Sequence, residues 1–319
     1  MISKDSRIYI AGHRGMVGSA VWDLLLANGY SNLLGRNSQD IDLKNQLETE
    51  YFFASEKPIV VIDAAAKVGG IMANKDHPYQ FLMENMRIQN NLIEYALEND
   101  CKKFIFLGSS CIYPKLSPQP IKESYLLSSQ LESTNEGYAL AKITGVKACE
   151  YIRRQFGKDY NSLMPTNLYG PKDNFDSETS HVLPAMLTKF HQAKMNDHEN
   201  VTLWGTGFPK REFLHVDDLA KAVLFALENK LPENLYNIGT GEEISISDLA
   251  LMIQEIVGHK GQILWDSQKP DGTPRKLLDV SKMTALGWSA KIKLKDGIKS
   301  TYQWYLENSY NLKQVKINT

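Results

Sequence analysis

At 319 residues with 43% hydrophobic side chains, the chain is long enough to bury a large core, divided between about two domains. Its 36 Lys and Arg against 37 Asp and Glu give a net charge of −1, and the basic residues are unclustered, so nothing points to a nucleic acid partner or an anionic membrane surface. The first residues lack a hydrophobic signal core and no apolar run is long enough to span a bilayer, so a cytoplasmic protein is expected. Three cysteines, Cys101, Cys111 and Cys149, are too few and too odd in number for a disulfide framework, and the seven His make no ligand spacing with them, so neither disulfides nor metal are expected.

The first element, Arg7-Ile-Tyr-Ile-Ala11, reads as a short buried strand running straight into Gly12-His-Arg-Gly15-Met-Val-Gly18 and then a helical pattern through Leu26. Glycine lets the backbone turn sharply and approach a pyrophosphate. The N–H groups at the start of the helix, around Gly15, Met16, Val17 and Gly18, can then hold that group with the help of the helix dipole. The spacing is Gly-x-x-Gly-x-x-Gly, not the dehydrogenase Gly-x-Gly-x-x-Gly. A second strand should end near Leu33-Leu34, followed by Gly35-Arg36-Asn37-Ser38. An acid there would bond a ribose 2′-hydroxyl, whereas Arg would pair with a 2′-phosphate. Arg14 and Arg36 are both candidates for that grip, which favours NADP(H) over NAD.

Apolar runs at Ile59–Ala66, Lys103–Leu107 and Ser162–Met164 alternate with helical stretches at Tyr79–Asn99 and Tyr138–Phe156. Strands separated by helices predict an α/β fold, a Rossmann-type doubly wound parallel sheet. Ligands in such folds bind beyond the carboxyl ends of the strands, so Ala64–Lys67, Leu107 and Gly108–Cys111, and Pro165, Asn167 and Leu168 should line the cleft. Within that set, Ser109-Ser110-Cys111 is followed by Tyr138-Ala-Leu-Ala-Lys142, in which Tyr and Lys lie one helical turn apart on one face. An ammonium there can pull a phenol toward the working range of proton transfer, the donor that ketone reduction needs. Tyr-x-x-x-Lys alone is common on solvated helices; its place after a nucleotide turn gives it weight.

Composition turns loop-like at Tyr169-Gly-Pro-Lys-Asp-Asn-Phe175, with Gly/Pro turns at Gly205–Pro209, Gly239–Gly241 and Pro270–Pro274. The expected organisation is a dinucleotide-binding domain over 1–168, rejoined by 212–238, and a smaller α/β domain, mainly for substrate, over 169–319.

Six segments carry a closer likeness: Ala11-Gly-His-Arg-Gly-Met-Val-Gly18, Ala64-Ala-Ala-Lys-Val-Gly-Gly-Ile71, Gly108-Ser-Ser-Cys-Ile-Tyr-Pro114, Met164-Pro-Thr-Asn-Leu-Tyr-Gly170, Arg211-Glu-Phe-Leu-His-Val-Asp217 and Lys269-Pro-Asp-Gly-Thr-Pro-Arg-Lys276. Together they resemble the extended short-chain dehydrogenase/reductases that act on nucleotide sugars, and among these the GDP-L-fucose synthase family, over essentially the whole chain. The resemblance implies 3,5-epimerisation of GDP-4-keto-6-deoxy-D-mannose followed by NADPH-dependent reduction at C4. The C4 ketone acidifies the hydrogens on C3 and C5, so inversion needs a base and an acid, roles that Cys111 and His181 fit. In reduction Tyr138 would protonate the alkoxide, Ser109 would bond the same oxygen, and Lys142 would bind the nicotinamide ribose and hold the Tyr138 pKa down.

The resemblance further implies substrate contacts from Lys189, Trp204, Arg211 and Asp271, His181 beside the cofactor as well as the sugar, and a homodimer built on the two long helices. Related dehydratases carry an Asp-Glu pair where Ser110 and Cys111 stand, so water elimination is not expected. Three departures stand out: Lys189 replaces the usual Arg, Ser38 replaces a second Arg of the 2′-phosphate grip, and Gly137 replaces Pro before Tyr138. The alternative reading is an NAD-dependent nucleotide-sugar 4-epimerase, which needs no thiol base.

Overall fold

The computed structural model describes residues 2–176, 179–269 and 271–309; Pro270 and the end of the chain after 309, part of the expected second domain, lie outside the described residues. Strand β1 (Ile8–Ala11) leads through the glycine turn into α1 (Met16–Ala27), β2 (Leu33–Leu34), α2 (Gln46–Glu56), β3 (Val60–Asp63), α3 (Ile71–Asp76) and α4 (Pro78–Glu98). Strand β4 (Lys103–Leu107), a 3-10 turn at Ser110–Ile112, α5 (Glu136–Phe156) and β5 (Asp159–Pro165) follow. Strands β1, β3, β4 and β5 are buried along almost their whole length, as the apolar runs require when helices cover both faces of a parallel sheet, while the edge strand β2 is half-buried.

The main sheet has the order β10-β5-β4-β3-β1-β2, every pair parallel, where β10 is Leu235–Ile238. One face packs under α2, α4 and α5 through residues such as Phe53, Leu92, Phe106 and Val146; the other packs under α1 and α7 (Val216–Glu228) through Val21, Leu25, Leu219 and Val223. The expected doubly wound α/β fold is therefore present. Strand order reverses between β1 and β3, and a ligand cleft opens at such a reversal.

Between β5 and the end of the chain the remaining elements are β6 (Asn167–Tyr169), α6 (Val182–Met195), β7 (Asn200–Trp204), β8 (Lys210–Arg211) and β9 (Phe213–His215), then β11 (Ile244–Ser245), α8 (Ile246–Val257), β12 (Gln262–Asp266), β13 (Arg275–Lys276), α9 (Ser281–Ala285) and α10 (Leu294–Asn308). They form small sheets, β11-β8-β13, β12-β7 and β6-β9, around a third core that includes Leu187, Phe190, Ile253 and Ile298. Glu212, fully buried, ties this part together by accepting the backbone N–H groups of Thr240 and Gly241 at 2.7 and 2.8 Å and of Leu278 at 3.0 Å.

Strand β3 stops at Asp63, short of the expected Ala66, because residues 64–66 leave the sheet to meet the glycine turn: the Ala64 N–H donates to Ala11 O at 3.1 Å, and a Cβ on Gly12 (φ +76°) would stand 2.7 Å from the Ala64 oxygen. Both long helices begin slightly before their expected starts, at Pro78 and Glu136. A side chain on Gly137 would meet the Pro78 carbonyl at 2.6 Å, so the glycine lets the two helix starts close on one another and fixes the residue before Tyr138. Gly145 plays the same part against the sheet, where an added Cβ would lie 2.3 Å from the Phe106 ring. Overpacking there costs ~2 kcal/mol; urea denaturation of Gly145→Ala should show a loss of that order at unchanged slope, and unchanged stability would mean that the α5–β4 contact yields freely.

Candidate active site

The glycine turn delivers α1 to the cleft with its first N–H groups bare. Gly15 caps the helix with no side-chain bond, and the earliest helical backbone bond at this end runs from the Ser19 N–H to Gly15 O. A Cβ on Gly18 would stand 2.2 Å from Gly12 O, so only glycine lets the helix sit this tightly on its turn. Bare amides, a helix dipole and a side-chain-free approach together fit a dinucleotide pyrophosphate. Gly108 likewise packs too close to Met164 for any side chain, a Cβ there meeting Met164 Cε at 2.1 Å, which keeps the ends of β4 and β5 open between Leu107 and Pro165. Asn167 donates to Glu212 O at 2.8 Å, and Leu168 packs at the edge of the α1/α7 core.

Beyond the end of β2, Arg14 of the glycine turn donates to Asn37 Oδ1 at 3.1 Å, which brings its guanidinium beside the residues that follow that strand. Arg36 is engaged differently: it pairs with Glu56, donates to Gly35 O and lies over the Phe52 ring. Any phosphate drawing on Arg36 competes with that carboxylate.

The chemistry gathers beyond β4. Ser109 is extended and caps the 3-10 turn, its Oγ accepting the Cys111 N–H at 3.3 Å, so its own hydroxyl hydrogen remains a donor. Cys111 is 8% exposed, and burial pushes its thiol above the ordinary value, opposed by the charge of Lys276, the bond from Ser109 and the charge of Lys142. Tyr138 stands edge-on to Phe81 at the start of α5. Lys142, buried, donates from Nζ to Leu107 O at 2.9 Å and lies 4.7 Å over the Phe106 ring and 5.9 Å over the Tyr138 ring.

The expected lowering of the Tyr138 pKa by Lys142 is not what this structure shows. Burial raises the phenol, with Cys111 and Asp63 adding to the rise, while the ammonium is turned to a backbone carbonyl.

His181 caps α6 across the cleft. The loop after β3 holds that helix start in place: the Gly70 N–H donates to Thr179 O at 3.0 Å, and a Cβ on Gly70 would meet the Ser180 oxygen at 3.0 Å. Although the His181 residue is exposed, the dense wall around its ring lowers its pKa, and the charge of Lys276 lowers it further. The resting pair is thus a protonated thiol and a neutral imidazole. That pair carries the same number of protons as a thiolate and an imidazolium.

The four residues expected at the nucleotide end come together. Lys189 lies 5.4 Å over the half-exposed Trp204 ring, with Lys269 at 5.5 Å over the same ring. Asp271 accepts the N–H and hydroxyl of Thr206, at 2.7 and 2.8 Å, in the turn just after Trp204. Arg211 feels the Asp271 charge. It is also in register with Lys276 across β8 and β13, and so links this end to the Cys111 end.

Sequence reading gave Lys276 no role, although it sits inside one of the recognised segments. Its charge reaches Cys111, His181 and Arg211, and burial lowers its own pKa. The signal for it lies in pairing across the second sheet, which spacing along the chain does not reveal. Asp63 was passed over inside an apolar run.

The arrangement is that of a dinucleotide-dependent α/β enzyme with an acid-base site against the cofactor floor and a cationic, aromatic pocket beyond it. Residues 8–239 match the NAD dependent epimerase/dehydratase family. The chain belongs to that family, within its GDP-L-fucose synthase branch. It is 54% identical to GDP-L-fucose synthase 1 of Arabidopsis thaliana over 98% of this chain and 96% of that protein, and 51% identical to GDP-L-fucose synthase of Escherichia coli (strain K12) over 95% and 97%. A GDP-mannoheptose C4 reductase from Campylobacter jejuni, solved with NADP bound, superposes with a TM-score of 0.88 at 38% identity, covering 96% of this chain and all of that one.

If Lys276 supports the Cys111 thiolate, Lys276→Met should slow iodoacetamide alkylation of the Cys111 peptide at every pH below its midpoint and move that midpoint up, read by mass spectrometry. Cys101, pushed up to about 12 by burial, serves as the slow internal reference. Equal rates in both proteins would remove Lys276 from the thiol's surroundings.

Proposed function

We propose that this enzyme epimerises GDP-4-keto-6-deoxy-D-mannose at C3 and C5 and then reduces C4 with NADPH, giving GDP-L-fucose. The observation that carries this reading is a thiol and an imidazole on opposite walls of the cleft, both feeling the charge of the half-buried Lys276 and standing beside a Ser109–Tyr138–Lys142 reduction set. A plain C4 reductase or 4-epimerase has no use for the first pair. The names of the relatives support a GDP-sugar substrate, and the C4 reductase with NADP bound supports the cofactor.

In this reading the turn at Gly15 and the bare amides of Met16, Val17 and Gly18 hold the pyrophosphate of the cofactor, and Arg14, with Arg36 when Glu56 releases it, holds the 2′-phosphate. Lys189, Arg211, Trp204 and Asp271 hold the GDP, so residues 169–211 and 239–309 serve mainly as the substrate half. One of Cys111 and His181 withdraws the hydrogen acidified by the ketone and the other returns one to the opposite face. When bound, NADPH supplies hydride for C4. Ser109 donates to the C4 oxygen and Tyr138 gives it a proton, while Lys142 offsets the charge left on the phenol.

The test is turnover of the keto sugar with NADPH in deuterated water, reading cofactor oxidation and deuterium at C3 and C5 of the product. Because exchange needs one proton shared between thiol and imidazole, it should fall in acid with a midpoint below 6.5, where His181 takes a second proton. It should fall again in alkali with a midpoint above 9.0, where the thiol is lost. Cys111→Ser should lower exchange by about 100-fold or more while cofactor binding survives. Cofactor oxidation without deuterium would make the protein a plain 4-reductase.

Helices α4 and α5 also present exposed Tyr79, Leu140 and Tyr151, a surface suited to a second copy of the chain. The expected assembly is a homodimer; a monomer mass by light scattering at micromolar protein would exclude it.

A further inference from the structure

Strand β3 is apolar until its last residue, which is a carboxylate. Asp63 is 1% exposed; its Oδ1 accepts the Ala65 N–H at 3.1 Å, and its Oδ2 is buried with no hydrogen-bond partner. Burying a carboxylate so incompletely satisfied costs stability, which an apolar residue at the same position would not. The groups around it supply a reason for its presence.

In the sheet Asp63 is in register with Ala11 on one side and Phe106 on the other. Tyr9, on the same face of β1, has a buried hydroxyl that also lacks a partner, with the charge of Arg36 beyond it. From α5 come Lys142, Tyr138 and Cys149, and Cys111 follows β4. Among the described residues, Lys142 is the one cation whose charge reaches Asp63. Its Nζ rests over the Phe106 ring, the sheet partner of Asp63, and donates to the oxygen of the next residue, Leu107. Carboxylate and ammonium therefore lie on the same face of the sheet, at neighbouring strands, and act on each other by charge and not through a direct ion pair.

We propose that Asp63 is a positioning residue for the ketone reduction, its carboxylate keeping Lys142 an ammonium beneath Tyr138. Tyr138 remains the group that touches substrate, so the proposal rests on the proton-donor role assigned to it above. Burial alone drives Lys142 toward the neutral amine, and Asp63 is the first charge opposing that. The carboxylate also acts directly on Tyr138 against ionisation. Lys142 lies over both the Phe106 and Tyr138 rings, which makes it the cation placed to offset the charge that Tyr138 takes on when it gives up its proton. Burial raises the Asp63 pKa to about 6, which leaves it ionised at neutral pH, when the pair is complete.

Two measurements on the full chain decide the matter. The first follows lysines labelled with carbon-13 at Cε by NMR titration, with Lys142→Arg identifying the resonance. In Asp63→Asn, and in Asp63→Leu should the first variant fold poorly, the Lys142 midpoint is expected to fall; an unchanged midpoint overturns the proposal. The second is the pH profile of NADPH oxidation on the keto sugar. The alkaline limb should move to lower pH and the rate at about pH 9 drop about tenfold, with deuterium exchange at C3 and C5 retained. Reduction and exchange falling together with the limb in place would instead mean collapsed packing, and would overturn it. If the unsubstituted protein oxidises no NADPH on this sugar, the reading of function fails, while the Lys142 midpoint still decides the part played by Asp63.

Discussion

A single buried ammonium organises the chemistry of this molecule. Lys142 reaches down from α5 through an otherwise apolar layer and donates to the last carbonyl of β4. Taking a cation out of water is costly, so the bond is retained only if the helix is held at one height and one rotation over the sheet. Gly145, one turn further along, allows the closeness by leaving room for the Phe106 ring, and the same ring forms the floor under the ammonium. Tyr138 is one turn earlier and so is placed by the same constraint, while Ser109 and Cys111 are placed because they follow the carbonyl that Lys142 grips. Helix, strand end and turn are thereby fixed relative to one another by one hydrogen bond and the packing it demands.

The opposite wall is fixed by close backbone contacts. Gly12 against Ala64, Gly18 against Gly12 and Gly70 against Ser180 form a chain of near-touching main chains running from the nucleotide turn to the start of α6, where His181 caps the helix. The first two leave no room for a Cβ, and the third leaves only a tight fit. The nucleotide end of the cleft is instead polar and adjustable: its aromatic face is half exposed, its cations lie over that face, and Asp271 is held through a turn. A rigid floor for the reacting carbon and a softer grip on the nucleotide suit the proposed function, in which one sugar presents three carbons in succession.

Most of the main sheet was legible because buried parallel strands are continuous apolar runs; Lys103–Leu107 has the bounds read from sequence, and the second strand ends at Leu34 as read. Pattern could not show that β3 ends at Asp63, since Ala64, Ala65 and Ala66 suit a strand as well as the loop that must approach Gly12. The reduction set was legible because its spacing is local. Lys276 was not, because its neighbours Cys111 and His181 lie far away in sequence and meet it only when β13 pairs with β8. Arg36 was legible as a cation but not as a partner of Glu56, since nothing in the spacing of α2 says which of its carboxylates will face β2.

The resting protonation states bear on how one cleft could serve the two reactions proposed above. Burial raises both the thiol and the phenol and lowers the imidazole, so in the protein alone each of these groups is in its neutral form. Keeping the thiol, phenol and imidazole neutral avoids adding further unpaired charge to a low-dielectric site that already holds cations. Charge then has to develop during reaction, and cations stand next to where it would: Lys276 beside the thiol, Lys142 beside the phenol. Each is buried enough for its own charge to be disfavoured, which makes each sensitive to the arrival of a negative neighbour. The two cations come from different halves of the chain, Lys142 from the main sheet's own helix and Lys276 from a strand of the small sheet. In the function proposed above, epimerisation would then depend on how the two parts meet, and reduction on a contact within the main sheet's part. Changes at the junction between the halves should accordingly weaken the first chemistry before the second.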